Sequence, residues 1–232
     1  MTPIPIFIDT DIGDDIDDAI ALSYALLSPV FSVQGVSTVG HWALDRVRIV
    51  RALMDRLGRE FPVAAGRETA STGYGPPARS RQLSWAREHL PDAEPSHVDA
   101  AQLIYDTAMR LNGKLRLVTF GPLTNVAEAF YRFPDLPSLI EGVYIMGGEL
   151  RLLRREHNFA GDYRAADFVL QKAGKSFLAT WSIGRQLMWS ADDVARLAQG
   201  ATPVAGVLAD LYRAWGGETP ALYDVVPLLY LE

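Results

Sequence analysis

Six aspartates fall within ten consecutive positions, in the run Ile6-Phe7-Ile8-Asp9-Thr10-Asp11-Ile12-Gly13-Asp14-Asp15-Ile16-Asp17-Asp18-Ala19. An apolar, strand-like segment precedes them and a helix-like one, Ala19 to Leu27, follows. Like charges packed this densely repel one another unless something cationic neutralises them. Carboxylates are hard oxygen ligands, so the pattern points to calcium or magnesium. A strand that ends in acid and turns into a helix fits an open α/β sheet, whose ligands bind beyond the carboxyl ends of its strands.

The rest of the chain keeps the same alternation. Residues 4–9 read as a buried strand, and 17–27 as a helix with acid in its first turn, where the helix dipole favours it. A second strand spans 32–39. It is followed by an amphipathic helix carrying Val47, Val50, Met54 and Leu57 on one face, with Gly58 as its stop. Phe61 to Ala64 reads as a short third strand. Residues 67–95, rich in Gly, Pro, Ser and Arg, read as a long functional loop with a helical turn near Trp85.

Ser96 is expected to cap a helix to about Leu111, with Asp99 completing a capping box. Strands near 115–120, 142–146 and 176–180 then alternate with helices near 123–132, 162–173 and 191–198, the last capped by Ser190. A helix over 203–215 precedes a final strand-like stretch, 225–231. No repeat or linker interrupts residues 1–232, which read as one domain. The fold class is α/β, a mainly parallel Rossmann-like open sheet with helices on both faces.

Composition excludes several classes. A net charge of −6 gives no electrostatic reason to expect nucleic acid or an anionic membrane as partner. The absence of cysteine removes disulfides, zinc–thiolate sites and a cysteine nucleophile. No signal peptide is visible, and no apolar run approaches the roughly 20 residues that span a bilayer. A cytoplasmic protein is the default expectation.

Three further constellations bear on chemistry. Leu117 to Asn125 runs a strand through Gly121-Pro122 into a helix, leaving free backbone carbonyls at the strand end. Met146-Gly147-Gly148 precedes Glu156-His157-Asn158-Phe159, whose Glu-x-Asn pair suits vicinal hydroxyls. Leu222-Tyr223-Asp224 places an acid before an apolar stretch.

In this order, the four motifs resemble the inosine-uridine preferring nucleoside hydrolase family. The first is similar to its Asp-Thr-Asp-x-Gly-x-Asp-x-Asp-Asp-Ala signature, with two extra residues before the paired aspartates. Val36 to Gly40, Pro62 to Gly66, Gly121 to Asn125, Ile145 to Gly148, and Glu156 to Asp162 continuing into Ala165-Ala166 resemble later motifs. The resemblance implies the nucleoside hydrolase fold, one calcium ion at the base of a pocket and hydrolysis of the N-glycosidic bond of ribonucleosides. Asp11 would be a calcium ligand and the general base toward the attacking water. Asp18, Asp224 and the Phe120 carbonyl would complete the metal set. Asp17, Met146, Glu156 and Asn158 would face the substrate, and Asp9 would support the ligands through hydrogen bonds. His41 reads either as a further substrate-facing residue or as a capping or loop histidine. Asp15 receives no role. Relatives of this kind are commonly homodimers or homotetramers.

The chain also departs from the pattern. Tyr223 stands where many members have histidine near the leaving base, and a phenol of ordinary pKa near 10 is a weaker acid than imidazolium. His41 replaces a common asparagine, and Leu150 or a neighbour replaces another. The stretch from Gly148 to Glu156 is short, residues 67–95 lack a His-Gly-x-Asp-Gly-Leu-Gly motif, and eight residues follow Asp224 where relatives continue further. Two other readings therefore stand beside the hydrolase. One is a calcium- and ribose-binding homologue with weak or no catalysis. The other is a haloacid dehalogenase-type phosphatase using Asp9-Thr10-Asp11. Of five tryptophans, Trp85 is the best candidate to stack on a base, while Trp42, Trp181, Trp189 and Trp215 read as core. His89 and His97 read as surface or helix-start residues, and Arg151, Arg154 and Arg155 as a solvated loop cluster.

Overall fold

In the computed structural model, residues 2–71, 79–95, 99–200 and 202–232 are described. In chain order the elements are β1 (Ile4–Thr10), α1 (Asp17–Leu27), β2 (Phe31–Thr38), α2 (Ala43–Leu57), β3 (Val63–Ala65), α3 (Arg81–His89), α4 (Ala100–Leu111), β4 (Leu115–Thr119) and α5 (Thr124–Arg132). There follow α6 (Leu136–Leu139), β5 (Ile140–Met146), α7 (His157–Gly161), α8 (Tyr163–Lys172), β6 (Ser176–Ala179), α9 (Trp181–Gly184), α10 (Ala191–Ala198), α11 (Ala205–Trp215) and α12 (Val225–Leu231).

The six strands form one sheet in the order β3-β2-β1-β4-β5-β6, and every neighbouring pair is parallel. This is the doubly wound order, in which the chain reverses direction of travel between β1 and β4. Successive strand residues point to opposite faces, so each strand feeds two cores. Ile6, Ile8, Val118 and Tyr144 enter one core with α1, α2, α3, α11 and α12. Phe7, Leu117, Val143 and Ile145 enter the other with α4, α5 and α8. Both faces are therefore covered, as the near-continuous apolar strands require. Among the described residues, no helix is long and apolar enough to cross a membrane.

Three sequence expectations are corrected. Residues 225–231 form helix α12 rather than a strand. Val225 and Leu228 are buried while Leu229 and Tyr230 are exposed, so the run has a helical face that its apolar composition conceals. The segment expected to be a loop with one helical turn contains the nine-residue helix α3, capped by Ser80 Oγ accepting from Leu83 N at 3.1 Å. Helix α4 begins at Ala100, and its cap is Asp99, whose carboxylate accepts from Gln102 N at 2.8 Å. Ser96 and His97 lie outside the described residues. The expected capping box at Ser190 is present, closed by Asp193.

Candidate active site

The carboxyl ends of β1 and β4, at the reversal point, carry the Asp-rich turn and Phe120. The turn from β1 into α1 is tight because Gly13 adopts φ +114°, a conformation that side chains rarely take. A Cβ there would also sit 2.5 Å from Leu83 Cδ2, so α3 packs directly against the turn. Helix α3 holds the turn further, with Ser80 Oγ donating to the Gly13 carbonyl and Gln82 Nε2 to the Asp15 carbonyl at 2.9 Å.

Arg46 of α2 clamps the same turn from below. It is 3% exposed, and its guanidinium donates to the carbonyls of Asp11 and Ile12, the latter at 3.0 Å. It also donates to the His41 carbonyl at 2.9 Å and pairs with the Asp14 carboxylate at 2.8 Å. A planar five-donor group suits this task, because it can bind several oxygens in one fixed geometry.

Above this clamp the side chains of Asp11, Asp17, Asp18 and Asp224 are buried together. Carboxylate oxygens of Asp17, Asp18 and Asp224 lie within 4.8 Å of one another. Thr10 Oγ1 donates to Asp18 Oδ1 at 2.5 Å, and the Tyr223 backbone N–H donates to Asp17 Oδ2 at 3.1 Å. Burial disfavours the charged form, so it raises all four carboxyls. Asp11 is pushed up to about 6, with Arg46 pulling it down; Asp17 is pushed up to about 7, helped by Asp15. Asp18 and Asp224 lie well above the ordinary range, because their carboxylate neighbours add to burial.

Asp9 sits beneath this group, fully buried and outside the cavity lining. Its Oδ1 accepts from Ser37 Oγ at 2.5 Å and from Asn125 Nδ2 at 2.8 Å, while Oδ2 has no hydrogen-bond partner. Burial pushes it up to about 7.

These groups open into a cavity of about 320 Å³. Its floor is Asp11, Asp14, Asp15, Asp17, Asp18 and Asp224; Phe120, Met146, Glu156 and Asn158 form one side. Glu156 caps α7, accepting from Asn158 N at 2.8 Å and Phe159 N at 2.9 Å, and also from Gly148 N at 2.8 Å. Asn158 Nδ2 donates to the carbonyls of Phe120, at 2.5 Å, and Met146, at 3.2 Å. The asparagine thus joins the ends of β4 and β5, and Gly147 and Gly148 let the Phe159 ring pack against the backbone there.

The remaining wall holds Tyr223, Trp181 and Arg154. Tyr223 and Trp181 stack with centroids 6.4 Å apart, and the Arg154 guanidinium lies 3.7 Å from the Trp181 ring centre. Burial pushes the Tyr223 phenol above its ordinary value, against the pull of Arg185 and Arg154.

The structure therefore brings together Asp11, Asp17, Asp18, Phe120, Met146, Glu156, Asn158, Tyr223 and Asp224. It does not place His41 on the cavity lining, although its carbonyl helps hold Arg46. Trp85 is on α3, packed partly against the core and stacked on His89, so Trp181 takes the cavity position expected of it. Arg154 and His157 also line the cavity, a place sequence reasoning gave to neither. Trp181 directly follows β6, on the carboxyl edge where ligands bind, and that placement was the available signal.

A sequence model of the inosine-uridine preferring nucleoside hydrolases matches residues 6–232. The chain belongs to this family. The match takes in all of the motifs from the Asp-rich turn to Asp224, and the enzyme is a nucleoside hydrolase. A pyrimidine-specific ribonucleoside hydrolase RihA from Enterobacter sp. (strain 638) is 28% identical, over 98% of this chain and 79% of that protein. A probable uridine nucleosidase 1 from Oryza sativa subsp. japonica is 26% identical, over 95% of this chain and 72% of its own length. Among solved structures, the plant nucleoside hydrolase PpNRh1 superposes with a TM-score of 0.87 at 23% identity, covering 99% of this chain and 78% of that one. A purine-preferring ribonucleoside hydrolase from Gardnerella vaginalis gives 0.85 at 22% identity, covering 98% and 80%. These two likenesses speak to the fold. Family membership displaces the phosphatase reading, and Asp9, the first acid of its Asp9-Thr10-Asp11 motif, is fully buried and not on the cavity lining.

Proposed function

We propose that this nucleoside hydrolase cleaves the N-glycosidic bond of ribonucleosides with the aid of one calcium ion, releasing ribose and a free base. The observation that carries the metal is the floor itself: Asp17, Asp18 and Asp224 have carboxylate oxygens within 4.8 Å of one another, Asp11 is buried on the same cavity, and burial opposes the charge of all four. Such a group is costly to ionise unless a cation joins it, and an all-oxygen donor set suits calcium. Asp11, Asp18, Asp224 and the Phe120 carbonyl are the proposed ligands. The Phe120 oxygen accepts one hydrogen bond from Asn158 and has a second lone pair.

When bound, calcium would orient the attacking water and the sugar hydroxyls and offset the carboxylate charge. Asp11 takes a proton from the water as it attacks C1′. A carboxyl pushed up toward neutrality is a stronger base than one titrating near 4. Asp17 and Asn158 hold the ribose hydroxyls, with Met146 packing on the sugar. Glu156 keeps the loop in place through three backbone N–H groups and has acceptor capacity left for a hydroxyl. The buried carboxylates stabilise the positive charge that the ribosyl group gains as the bond breaks. Tyr223 presents a hydrogen-bond donor to the base. His41, off the cavity lining, acts in this scheme by holding Arg46 through its carbonyl. The proposed compartment is the cytoplasm, and the proposed assembly a homodimer or homotetramer.

The test is base release from a panel of purine and pyrimidine ribonucleosides, with and without a calcium chelator. Hydrolysis that stops with the chelator and returns with added calcium is expected. Unchanged turnover in its presence would remove the metal from the mechanism. Calcium and ribose binding with no turnover on any nucleoside would favour the non-catalytic homologue instead.

A further inference from the structure

The floor of the cavity accounts for the sugar half of a nucleoside, and its upper wall has an opposite character. The guanidinium carbon of Arg154 lies over Trp181, 3.7 Å from the ring centre, and both residues line the cavity. Arg185 approaches the same ring at 5.8 Å. A guanidinium over an indole is held by the ring's electrons, and it can donate hydrogen bonds but never accept them.

Breaking the C1′–N bond leaves the electron pair on the base, so negative charge grows there while positive charge grows on the sugar. The carboxylate floor answers the second charge and repels the first. A cationic donor elsewhere on the lining of the same cavity answers the charge on the base.

We infer that Arg154, supported on Trp181, is a further catalytic residue for the leaving group beside Tyr223, stabilising the departing base as an anion by charge and N–H donation rather than by proton transfer. This rests on the proposed nucleoside hydrolysis. In the step, a water oxygen bonds to C1′ and its proton passes to Asp11. The C1′–N bond breaks, its electron pair stays with the base, and the base anion takes a proton from solvent after release. Arg154 remains protonated throughout, as a guanidinium does at any working pH. Trp181 sets the plane and height of the charge, a positioning role.

The experiment compares wild type, Arg154→Ala and Arg154→Lys, all calcium-loaded, on inosine, uridine and p-nitrophenyl β-ribofuranoside. The nitrophenolate leaves readily without help, so it reports the sugar half of the site alone. Arg154 is exposed, so its replacement spares the core. For Arg154→Ala, kcat on both nucleosides should fall about 100-fold, the usual scale for losing one donor to a developing anion. On the nitrophenyl riboside it should fall less than about threefold, and Arg154→Lys should recover part of the nucleoside loss. An equal fall on all three substrates, or none, would overturn the assignment. So would a loss confined to KM for nucleoside 5′-monophosphates, which would make Arg154 a phosphate contact. A large effect from His157→Ala on nucleosides alone would give the leaving group to a proton donor. Wild type inert on nucleosides but active on the nitrophenyl riboside would likewise refute Arg154 while leaving the sugar site standing. Wild type inert on all three would refute the hydrolase reading itself.

Discussion

The two halves of the cavity are built by opposite means. The floor comes mostly from one ten-residue turn, buried and pinned by Arg46, Ser80, Gln82 and Thr10. The wall brings Arg154, Trp181 and Tyr223 from three separate places in the chain, and stacking rather than a hydrogen-bond web connects them. The floor is acidic and mostly buried; the wall is aromatic and carries an exposed cation, Arg154. Chemistry common to every ribonucleoside can be fixed in the first, because the sugar does not change. Base-dependent interactions suit the second, where side chains can be exchanged without disturbing a buried charge network.

The most severe way to break the floor is to remove Asp11, its proposed base. Asp11→Ala should reduce kcat on any nucleoside by about 10³-fold, since general-base contributions run to that order. Arg46 grips the backbone carbonyl of Asp11 rather than its carboxylate, so the turn should survive the truncation and the circular dichroism spectrum should be unchanged. Turnover within tenfold of wild type would move the base elsewhere, and His157 on the same cavity would be the next residue to test.

A second difference is in response to pH. Asp9 and Asp17 are pushed up to about 7, and Asp11 to about 6, from an ordinary 3.8. The folded protein therefore keeps protons that the unfolded chain gives up near pH 4. Where the folded state binds more protons, stability falls as pH rises. The calcium-stripped protein should melt highest near pH 4 to 5 and lose stability as the pH climbs through about 6 to 7. The proposed calcium would bind the ionised floor, so adding it at pH 8 should restore most of the lost melting temperature and have little effect at pH 5. Thermal melts at the two pH values, with and without calcium, measure this directly. A calcium-stripped protein that is more stable at pH 8 than at pH 5 would contradict the burial argument.

The floor was legible in the sequence because it is local. Six aspartates between a strand and a helix admit few arrangements, and the reversal point of a parallel sheet tells where they go. Asp224 was reached only through the family resemblance, since an acid before an apolar run has many uses. Of the wall, only Tyr223 was reached, again through the family resemblance. A tryptophan that faces a cavity and one that fills a core have the same composition signal, so Trp85 and Trp181 were exchanged. Arg154 belongs to a charged loop whose residues differ only in which neighbour they meet. Helix α12 was misjudged for a related reason: seven apolar residues carry little periodicity, and packing against α1 and β5 decides their conformation. The parallel fold itself followed from the repeated strand–helix alternation, which packing on both faces made all the more consistent.

One residue ties the two halves together, and it gives the mildest but most informative perturbation. Tyr223 stacks on Trp181 through its ring, donates to Asp17 through its backbone N–H, and precedes Asp224. Its ring packs on Gly184 of α9, where an added Cβ would meet Tyr223 Cδ1 at 2.3 Å and Cα at 3.0 Å. Gly184 is not among the residues of positive φ, so the conflict is one of space and not of backbone conformation. Gly184→Ala should cost about 1–3 kcal/mol of stability, the range for overpacking a fitted contact. If wall and floor were independent, only base-dependent kinetics would change. Because the backbone of Tyr223 is bonded to Asp17, the displacement should reach the sugar site as well, raising KM severalfold for inosine, uridine and p-nitrophenyl β-ribofuranoside alike. A KM change restricted to the two nucleosides would show that the ring yields by itself and that the halves are mechanically separate.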